Sequence, residues 1–188
     1  MIDMLKSRKL SLVAVAAFFV LAVIAIRPAF ATLKPGATAP EFATQASLGG
    51  KVFDFDLKDA LAKGPVVLYF YPAAFTKGCT LEAHDFAEHI DDYKKLGATV
   101  IGVSVDPIDT LNKFSVSECR SKFPVASDAT HNISKSYDAT LSAGPATVSN
   151  RTSYVIAPDG KIVYAYTALD PSKHVANTLA ALGKLDKK

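Results

Sequence analysis

The sequence is poor in the residues that build disulfide frameworks and soft metal sites. It contains two cysteines, Cys79 and Cys119, in 188 residues, and neither stands in a C-x-x-C or C-x-x-x-C motif. A fast dithiol–disulfide oxidoreductase would need the first motif, and a metal chaperone would need the second or a comparable ligand set. The sequence therefore disfavours an exported dithiol–disulfide oxidoreductase and a metal-chaperone-type domain, and both are kept only as alternatives.

Net charge is also scarce once the N-terminus is set aside. The whole chain carries a formal charge of +3. Residues 1–31 hold four basic side chains and one acidic side chain, so they account for that excess and leave the remainder near neutrality. Nothing therefore favours a nucleic acid or an acidic membrane surface as a partner.

The N-terminus has the pattern of an export signal. Three basic residues precede an apolar run from Leu10 to Ile26, and Ala29-Phe30-Ala31 has the small-x-small form of a signal-peptidase site. We predict that residues 1–31 are a signal peptide and that residues 32–188 form one domain that is periplasmic or secreted. The alternative is an uncleaved inner-membrane anchor that holds the domain on the periplasmic side, because the apolar run is long and Arg27 follows it.

Hydrophobic periodicity and turn residues predict alternating strands and helices. Leu48-Gly49-Gly50 predicts an N-terminal hairpin, Ala157-Pro158-Asp159-Gly160 predicts a second hairpin, and residues 142–149 have the composition of a loop. The resulting fold class is α/β, with a mixed β-sheet flanked by helices. Strands are predicted at 42–46, 51–55, 66–71, 98–105, 123–126, 152–156 and 161–167, and helices at 79–96, 108–119, 131–137 and 171–182.

Cys79 is predicted to lie where a buried strand passes into a helix. The apolar strand 66–71 ends at Pro72, and helical spacing begins near the cysteine. In α/β proteins ligands bind at the carboxyl edge of such strands. The unpaired N–H groups and the dipole at a helix N-terminus favour an anion, which for a cysteine is the thiolate. We therefore expect Cys79 to be a nucleophile.

Three further residues are candidates for the surroundings of this sulfur. Thr76 offers a hydroxyl three residues before Cys79, whereas Glu82, one turn later, would repel a thiolate unless a cation stood between them. Arg151 opens the strand 152–156, and its guanidinium could reach both Glu82 and the sulfur.

These motifs resemble those of the peroxiredoxins, in the alkyl-hydroperoxide-reductase/thiol-specific-antioxidant superfamily, nearest the bacterioferritin-comigratory or Q-type branch. The segments GATAPEF (36–42), Pro72 through Thr76 to Cys79, CTLEA (79–83) and RTSY (151–154) are similar to the family's G-x-x-A-P-x-F, P-x-x-x-T-x-x-C, C-T-x-E-A and R-x-[ST]-[FY] patterns. The resemblance covers nearly all of the chain after residue 31. It implies a thioredoxin-like fold.

The resemblance also implies the chemistry. Cys79 would be the peroxidatic cysteine of a thiol-dependent peroxidase for hydrogen peroxide and alkyl hydroperoxides, and it would pass through a sulfenic acid. Thr76 and Arg151 would stabilise the charge on the leaving oxygen, and Pro72 would shield the thiolate from water. Neither a metal nor an organic cofactor would be needed, and a thioredoxin-like protein or a small thiol would be the reductant. Likeness to the Q-type branch implies a monomer.

The chain departs from the family pattern at His84. Many Q-type members have a resolving cysteine at this position, five residues after the active cysteine. The remaining thiol, Cys119, stands in a region from which some members supply the resolving partner. We favour a Cys79–Cys119 disulfide, which would require local unwinding. The alternative is a one-cysteine cycle resolved by an external thiol, with Cys119 as a buried apolar residue.

The histidines are interpreted as surface residues. His84 and His89 lie five residues apart on one predicted helix, so they point in different directions and would not easily share a metal ion. His131 and His174 stand in polar contexts, and we expect them to be solvated as well.

Overall fold

The computed structural model describes residues 32–185, so the predicted signal at 1–31 lies outside the described residues. The strands are β1 (Ala43–Leu48), β2 (Lys51–Asp56), β3 (Val66–Phe70), β4 (Thr99–Ser104), β5 (Val125–Ser127), β6 (Thr140–Ala143), β7 (Ala146–Ser149), β8 (Thr152–Ile156) and β9 (Ile162–Thr167). The helices are α1 (Leu57–Leu61), α2 (Lys77–Glu88), α3 (Ile90–Lys95), α4 (Ile108–Ser117), α5 (Asn132–Ser136) and α6 (His174–Leu185). A 3-10 turn at Pro171–Lys173 precedes α6.

The central sheet is mixed, as predicted. Its seven strands run in the order β2-β1-β5-β4-β3-β8-β9. Strand β4 pairs in parallel with β3 and β5, whereas β8 and β9 extend the sheet antiparallel from β3. The N-terminal hairpin β1–β2 is confirmed, and its turn uses Gly49 and Gly50 at φ values of 57° and 77°, a left-handed conformation that glycine adopts readily.

Strand β3 separates two hydrophobic cores. All five of its residues are buried, and their side chains alternate between the two faces of the sheet. Tyr69 packs against Phe86 and Phe123 in the core beneath α2, whereas Phe70 packs against Tyr137 and Tyr154 on the opposite face. Burial on both faces explains the continuous apolar run that predicts this strand.

Tyr69 also depends on a glycine in the neighbouring strand. A Cβ atom at Gly102 would lie 2.6 Å from the Tyr69 ring. The strand β4 can therefore pass beside this buried ring only because residue 102 has no side chain.

The structure differs from the sequence-based prediction in three places. Residues 142–149 are not a loop, because β6 and β7 form a two-stranded antiparallel hairpin there. The predicted helix 79–96 is two helices that meet at His89, although the apolar spacing continues across the junction. The short helix α1, capped by the Asp56 carboxylate, was not predicted.

A membrane-spanning helix is not found in the region that the structure covers, 32–185.

Candidate active site

Cys79 lies in the first turn of α2, directly after the loop that leaves β3. Thr76 is the N-cap residue of α2, so the cysteine faces the unpaired backbone N–H groups of the helix start. The cysteine is 2% exposed. The loop before it is held by Asp106, whose carboxylate accepts hydrogen bonds from the Ala74 N–H (2.8 Å) and from the Ser104 hydroxyl (2.7 Å). The position of Cys79 at the strand-to-helix turn was predicted from the sequence.

Arg151, which immediately precedes β8, joins the sulfur to a buried carboxylate. Its Nη2 donates to Cys79 Sγ at 3.3 Å, its Nη1 donates to Glu82 Oε2, and its Nε donates to the Leu169 carbonyl at 2.9 Å. The predicted reach of Arg151 to both partners is confirmed. The guanidinium therefore supplies the cation that a thiolate beside Glu82 requires.

Gly78 leaves the space that the guanidinium occupies. A Cβ atom at this position would lie 3.1 Å from Arg151 Nη2. A side chain there would press on the group that contacts the sulfur, so the absence of one is part of the geometry of the site.

Glu82 is fully buried beneath Cys79. Burial raises the pKa of its carboxyl to about 8, although the charge and hydrogen bond of Arg151 act in the opposite direction. Its second oxygen, Oε1, is buried and has no hydrogen-bond partner among residues 32–185. Instead, this oxygen lies 3.6 Å from Nδ1 of His174.

His174 is therefore not solvated, and that prediction was wrong. Its ring is fully buried, with Nδ1 2.7 Å from the Ser153 hydroxyl and Nε2 3.0 Å from the Ala168 carbonyl. Burial lowers its pKa to about 4. The turn at Pro171–Lys173 starts α6 so that its first residue faces the sheet. His174 lies at helical spacing from the other buried residues of α6, which are Val175, Thr178 and Leu182. This spacing could have identified His174 as buried.

Thr76 and Pro72 occupy the loop on the solvent side of the site. The Thr76 side chain is exposed, and its hydroxyl donates to the Ala73 carbonyl at 2.9 Å. Pro72 is half-buried at the start of the same loop. Both lie in the expected segment, and their roles stay predictions.

Cys119 follows the C-terminal end of α4 and is fully buried in the same core as Cys79. Both cysteines are free thiols. Burial raises the pKa of the Cys119 thiol above its ordinary value. The next two residues, Arg120 and Ser121, have left-handed φ values of 52° and 55°, which cost a non-glycine residue roughly 1–2 kcal/mol each.

Two side-chain contacts, one hydrogen bond and one ion pair, tie the turn around Cys119 to α2. His84 Nε2 lies 2.9 Å from Glu118 Oε2, and Glu88 Oε1 accepts from Arg120 Nη1 at 3.2 Å. The His84 side chain is 35% exposed, so it lies at the surface as predicted while it contacts Glu118. The neighbouring residues of Cys119 on both sides are therefore bound to the helix that carries Cys79.

The other two histidines are partly exposed. The His89 side chain is 42% exposed, as predicted, and its Nδ1 lies 3.2 Å from Asp85 Oδ1. His131 is half-buried with a left-handed φ of 58°, and its Nδ1 is buried without a hydrogen-bond partner among residues 32–185, so its ring is not fully solvated. No group of three or more potential metal ligands is found within residues 32–185.

The chain is similar to peroxiredoxins along most of its length. Residues 35–165 match the AhpC/TSA family. The chain is 36% identical over 122 residues to the chloroplastic peroxiredoxin Q of Triticum aestivum, a match that covers 64% of this chain and 55% of that relative. It is 31% identical over 146 residues to the peroxiredoxin Bcp of Escherichia coli (strain K12), covering 76% of this chain and 90% of the relative.

Solved structures give the same picture. The crystal structure of peroxidoxin BcpB from Mycobacterium tuberculosis matches with a TM-score of 0.74 and 29% sequence identity, over 81% of this chain and 98% of that one. The predicted thioredoxin-like fold with a mixed sheet is thus confirmed.

Proposed function

This chain belongs to the AhpC/TSA family of thiol-dependent peroxidases, and we propose that Cys79 is the thiol that attacks the peroxide. The observation that carries this assignment is the contact between Arg151 Nη2 and Cys79 Sγ, at 3.3 Å, in the first turn of α2. A helix N-terminus and a guanidinium both favour the thiolate, which is the nucleophilic form of cysteine.

The reaction is a two-electron oxidation of sulfur. The Cys79 thiolate attacks one oxygen of the peroxide, so that an S–O bond forms while the O–O bond breaks. The leaving oxygen takes up a proton and departs as water from hydrogen peroxide or as an alcohol from an alkyl hydroperoxide. Cys79 is left as a sulfenic acid.

Neighbouring groups would hold the peroxide in line with the sulfur. Arg151 and the backbone N–H groups at the start of α2 are donors for the oxygen on which charge develops. The Thr76 hydroxyl already donates to the Ala73 carbonyl, so its free lone pairs are available to accept the peroxide O–H. Pro72, at the start of the loop, would limit the access of water to the thiolate.

We propose that Cys119 resolves the sulfenic acid. Its thiol displaces the hydroxyl from Cys79 as water, and a disulfide forms without a further oxidant. We propose that the turn after α4 unwinds for this step, which releases the buried Cys119 thiol from the core and lets it approach Cys79. The left-handed conformations of Arg120 and Ser121 support this opening, since unwinding relieves their strain. Resolution by an external thiol is the alternative.

The cycle is completed by a thiol reductant such as a thioredoxin-like protein or a small thiol. We propose that the domain acts in the periplasm or outside the cell, on the strength of the signal-like pattern in residues 1–31. We further propose that it is a monomer, on the strength of its likeness to the Q-type branch alone. An anchored form would act on the same side of the inner membrane.

Peroxide consumption with dithiothreitol as the reductant tests the assignment. We expect turnover by the unsubstituted domain and by Cys119→Ser, because dithiothreitol can reduce a sulfenic acid directly. Cys79→Ser should have no activity above that of the reductant alone. Equal activity of Cys79→Ser and the unsubstituted domain would overturn the assignment.

A further inference from the structure

The hydrogen bonds of His174 determine which of its ring nitrogens carries a proton. Nε2 faces the Ala168 carbonyl at 3.0 Å, and because a carbonyl can only accept, Nε2 must be protonated. In the neutral ring Nδ1 is then a lone pair that accepts from the Ser153 hydroxyl, 2.7 Å away. Both contacts are compatible with a neutral ring.

Glu82 approaches the same nitrogen from the side of the active cysteine. Its Oε1 is 3.6 Å from His174 Nδ1 and has no hydrogen-bond partner in the described part of the chain, 32–185. If Glu82 were ionised and His174 neutral, a buried carboxylate oxygen would face a lone pair. One proton between the two atoms would remove this conflict, whichever of them carries it. The Ser153 hydroxyl can donate or accept, so it would turn its own proton away from Nδ1 in that state.

The charges around Cys79 lead to the same requirement. Arg151 contributes one positive charge, whereas a Cys79 thiolate and an ionised Glu82 contribute one negative charge each. These three groups are almost completely buried, and an uncompensated charge in such a place is costly. One proton on Glu82 or His174 makes the whole cluster neutral.

The other groups that face the cluster do not provide this compensation. On α2, Asp85 adds negative charge near Glu82, and at the turn before α6, Asp170 adds negative charge near His174. Lys173 beside His174 is exposed. The ring of Tyr166 lies edge-on to His174, with the ring centroids 4.8 Å apart, and contributes no charge.

We propose that Glu82 and His174 share a single proton while Cys79 is a thiolate, and that His174 is thereby a positioning residue of the peroxidase site. The shared proton prevents Glu82 from cancelling the charge of Arg151, which remains available to the sulfur. The raised pKa of Glu82 and the lowered pKa of His174 are consistent with one proton on this pair at neutral pH. The proposal rests on the assignment of Cys79 as the attacking thiol.

The direct test counts the protons in the unsubstituted, reduced protein. Glutamate labelled with carbon-13 and histidine labelled with nitrogen-15 report the two protonation states by NMR between about pH 5 and 7.5. The Glu82 and His174 signals are assigned through their correlations with the backbone of the unsubstituted protein, so the count does not depend on any variant. We expect the two groups to carry one ionisable proton in total. A carboxylate beside a neutral ring, or a protonated acid beside an imidazolium, would overturn the proposal.

A double-mutant cycle tests the consequence for the sulfur. Asn at position 174 keeps a polar atom near Nδ1 but cannot take up a proton, whereas Gln at position 82 is neutral at every pH. Loss of the His174 ring removes the acceptor that stabilises protonated Glu82, so Glu82 ionises at lower pH and competes with the sulfur for Arg151. We therefore expect His174→Asn to move the half-maximal pH of Cys79 alkylation by iodoacetamide upward by about one unit, the equivalent of one weakened charge-assisted hydrogen bond. In the Glu82→Gln background the same substitution should cause no shift, and equal shifts in both backgrounds would contradict the proposal.

Thr178→Val is the matched control for disturbance of α6. Its hydroxyl bonds to Tyr93 and to the His174 carbonyl but does not contact Glu82. We expect a loss of stability without a shift in the alkylation profile. If His174→Asn does not fold, the proton count on the unsubstituted protein still decides. A correct proton count in a protein that does not reduce peroxide would overturn the function and leave the proton pair intact.

Discussion

Raising the pH from 6.5 to 8 should destabilise the folded domain through the Glu82–His174 pair. In the folded state the pair holds one proton between about pH 4 and about pH 8. In the unfolded chain Glu82 and His174 have their ordinary pKa values of 4.5 and 6.5. The pair then holds one proton only between pH 4.5 and pH 6.5, and none above pH 6.5. Above pH 6.5 the folded state thus binds more protons than the unfolded state, and the free energy of unfolding falls as the pH rises.

The size of this loss of stability follows from the interval between pH 6.5 and pH 8, in which only the folded state holds the proton. The slope for one proton is about 1.4 kcal/mol per pH unit, so the interval from 6.5 to 8 corresponds to a loss of about 2 kcal/mol. Between about pH 4.5 and 6.5 both states hold one proton, and the pair should contribute no slope.

Urea denaturation followed by far-ultraviolet circular dichroism measures this loss, since the chain has no tryptophan to serve as a fluorescent probe. The reduced protein keeps Cys79 throughout, because loss of the thiolate would change the charge balance of the cluster, and ionisation of this thiol contributes equally to the two proteins that are compared. Adding Glu82→Gln should abolish the decline above pH 6.5, because the remaining histidine is neutral in both states there. A decline of the same size with and without Glu82→Gln would refute the reasoning.

Three further substitutions have defined outcomes. Arg151→Lys keeps the charge but not the three directed hydrogen bonds, so the rate of peroxide consumption in stopped flow should fall by roughly 10- to 100-fold, and an unchanged rate would count against the role of the guanidinium. Gly102→Ala places a methyl group against the ring of Tyr69 and should lower the free energy of unfolding in urea by about 1–3 kcal/mol, whereas a neutral result would show that the ring can move aside. Glu118→Ala removes one of the two contacts that hold the turn of Cys119 on α2, so disulfide formation after peroxide addition, followed by rapid alkylation and mass spectrometry, should be about two- to fivefold faster. No change would mean that this contact does not restrain the turn.

The seven strands of the central sheet and the position of Cys79 could be predicted because they depend on local patterns. Burial on both faces gives β3 a continuous apolar run, and two glycines fix the first hairpin turn. The meeting of Arg151 with Cys79 was predicted from the family motifs and from the need for a cation beside Glu82. Local sequence patterns alone do not predict this contact, because Arg151 reaches Cys79 only through the pairing of β8 with β3.

The parts that were missed depend on tertiary structure. His174 looks like a surface residue in its polar sequence context, and only the packing of α6 against the sheet buries it beside Glu82. The contact between His84 and Glu118 joins residues from two different helical regions. Hairpin β6–β7 lies outside the main sheet. Its strands alternate polar and apolar residues over only four positions each, on either side of Gly144-Pro145, and so short a pattern does not distinguish a strand from a loop.

The most direct test of the central claim is intact-protein mass spectrometry of the reduced domain from Thr32 onward, before and after about one equivalent of hydrogen peroxide. The account predicts a rapid loss of two hydrogens, which corresponds to a Cys79–Cys119 disulfide, and retention of one oxygen in Cys119→Ser. Gain of oxygen in the unsubstituted domain, unaffected by Cys119→Ser, would keep Cys79 as the attacking thiol but assign resolution to an external thiol. A reaction no faster than that of a free thiol, or equal oxidation of Cys79→Ser, would contradict the account.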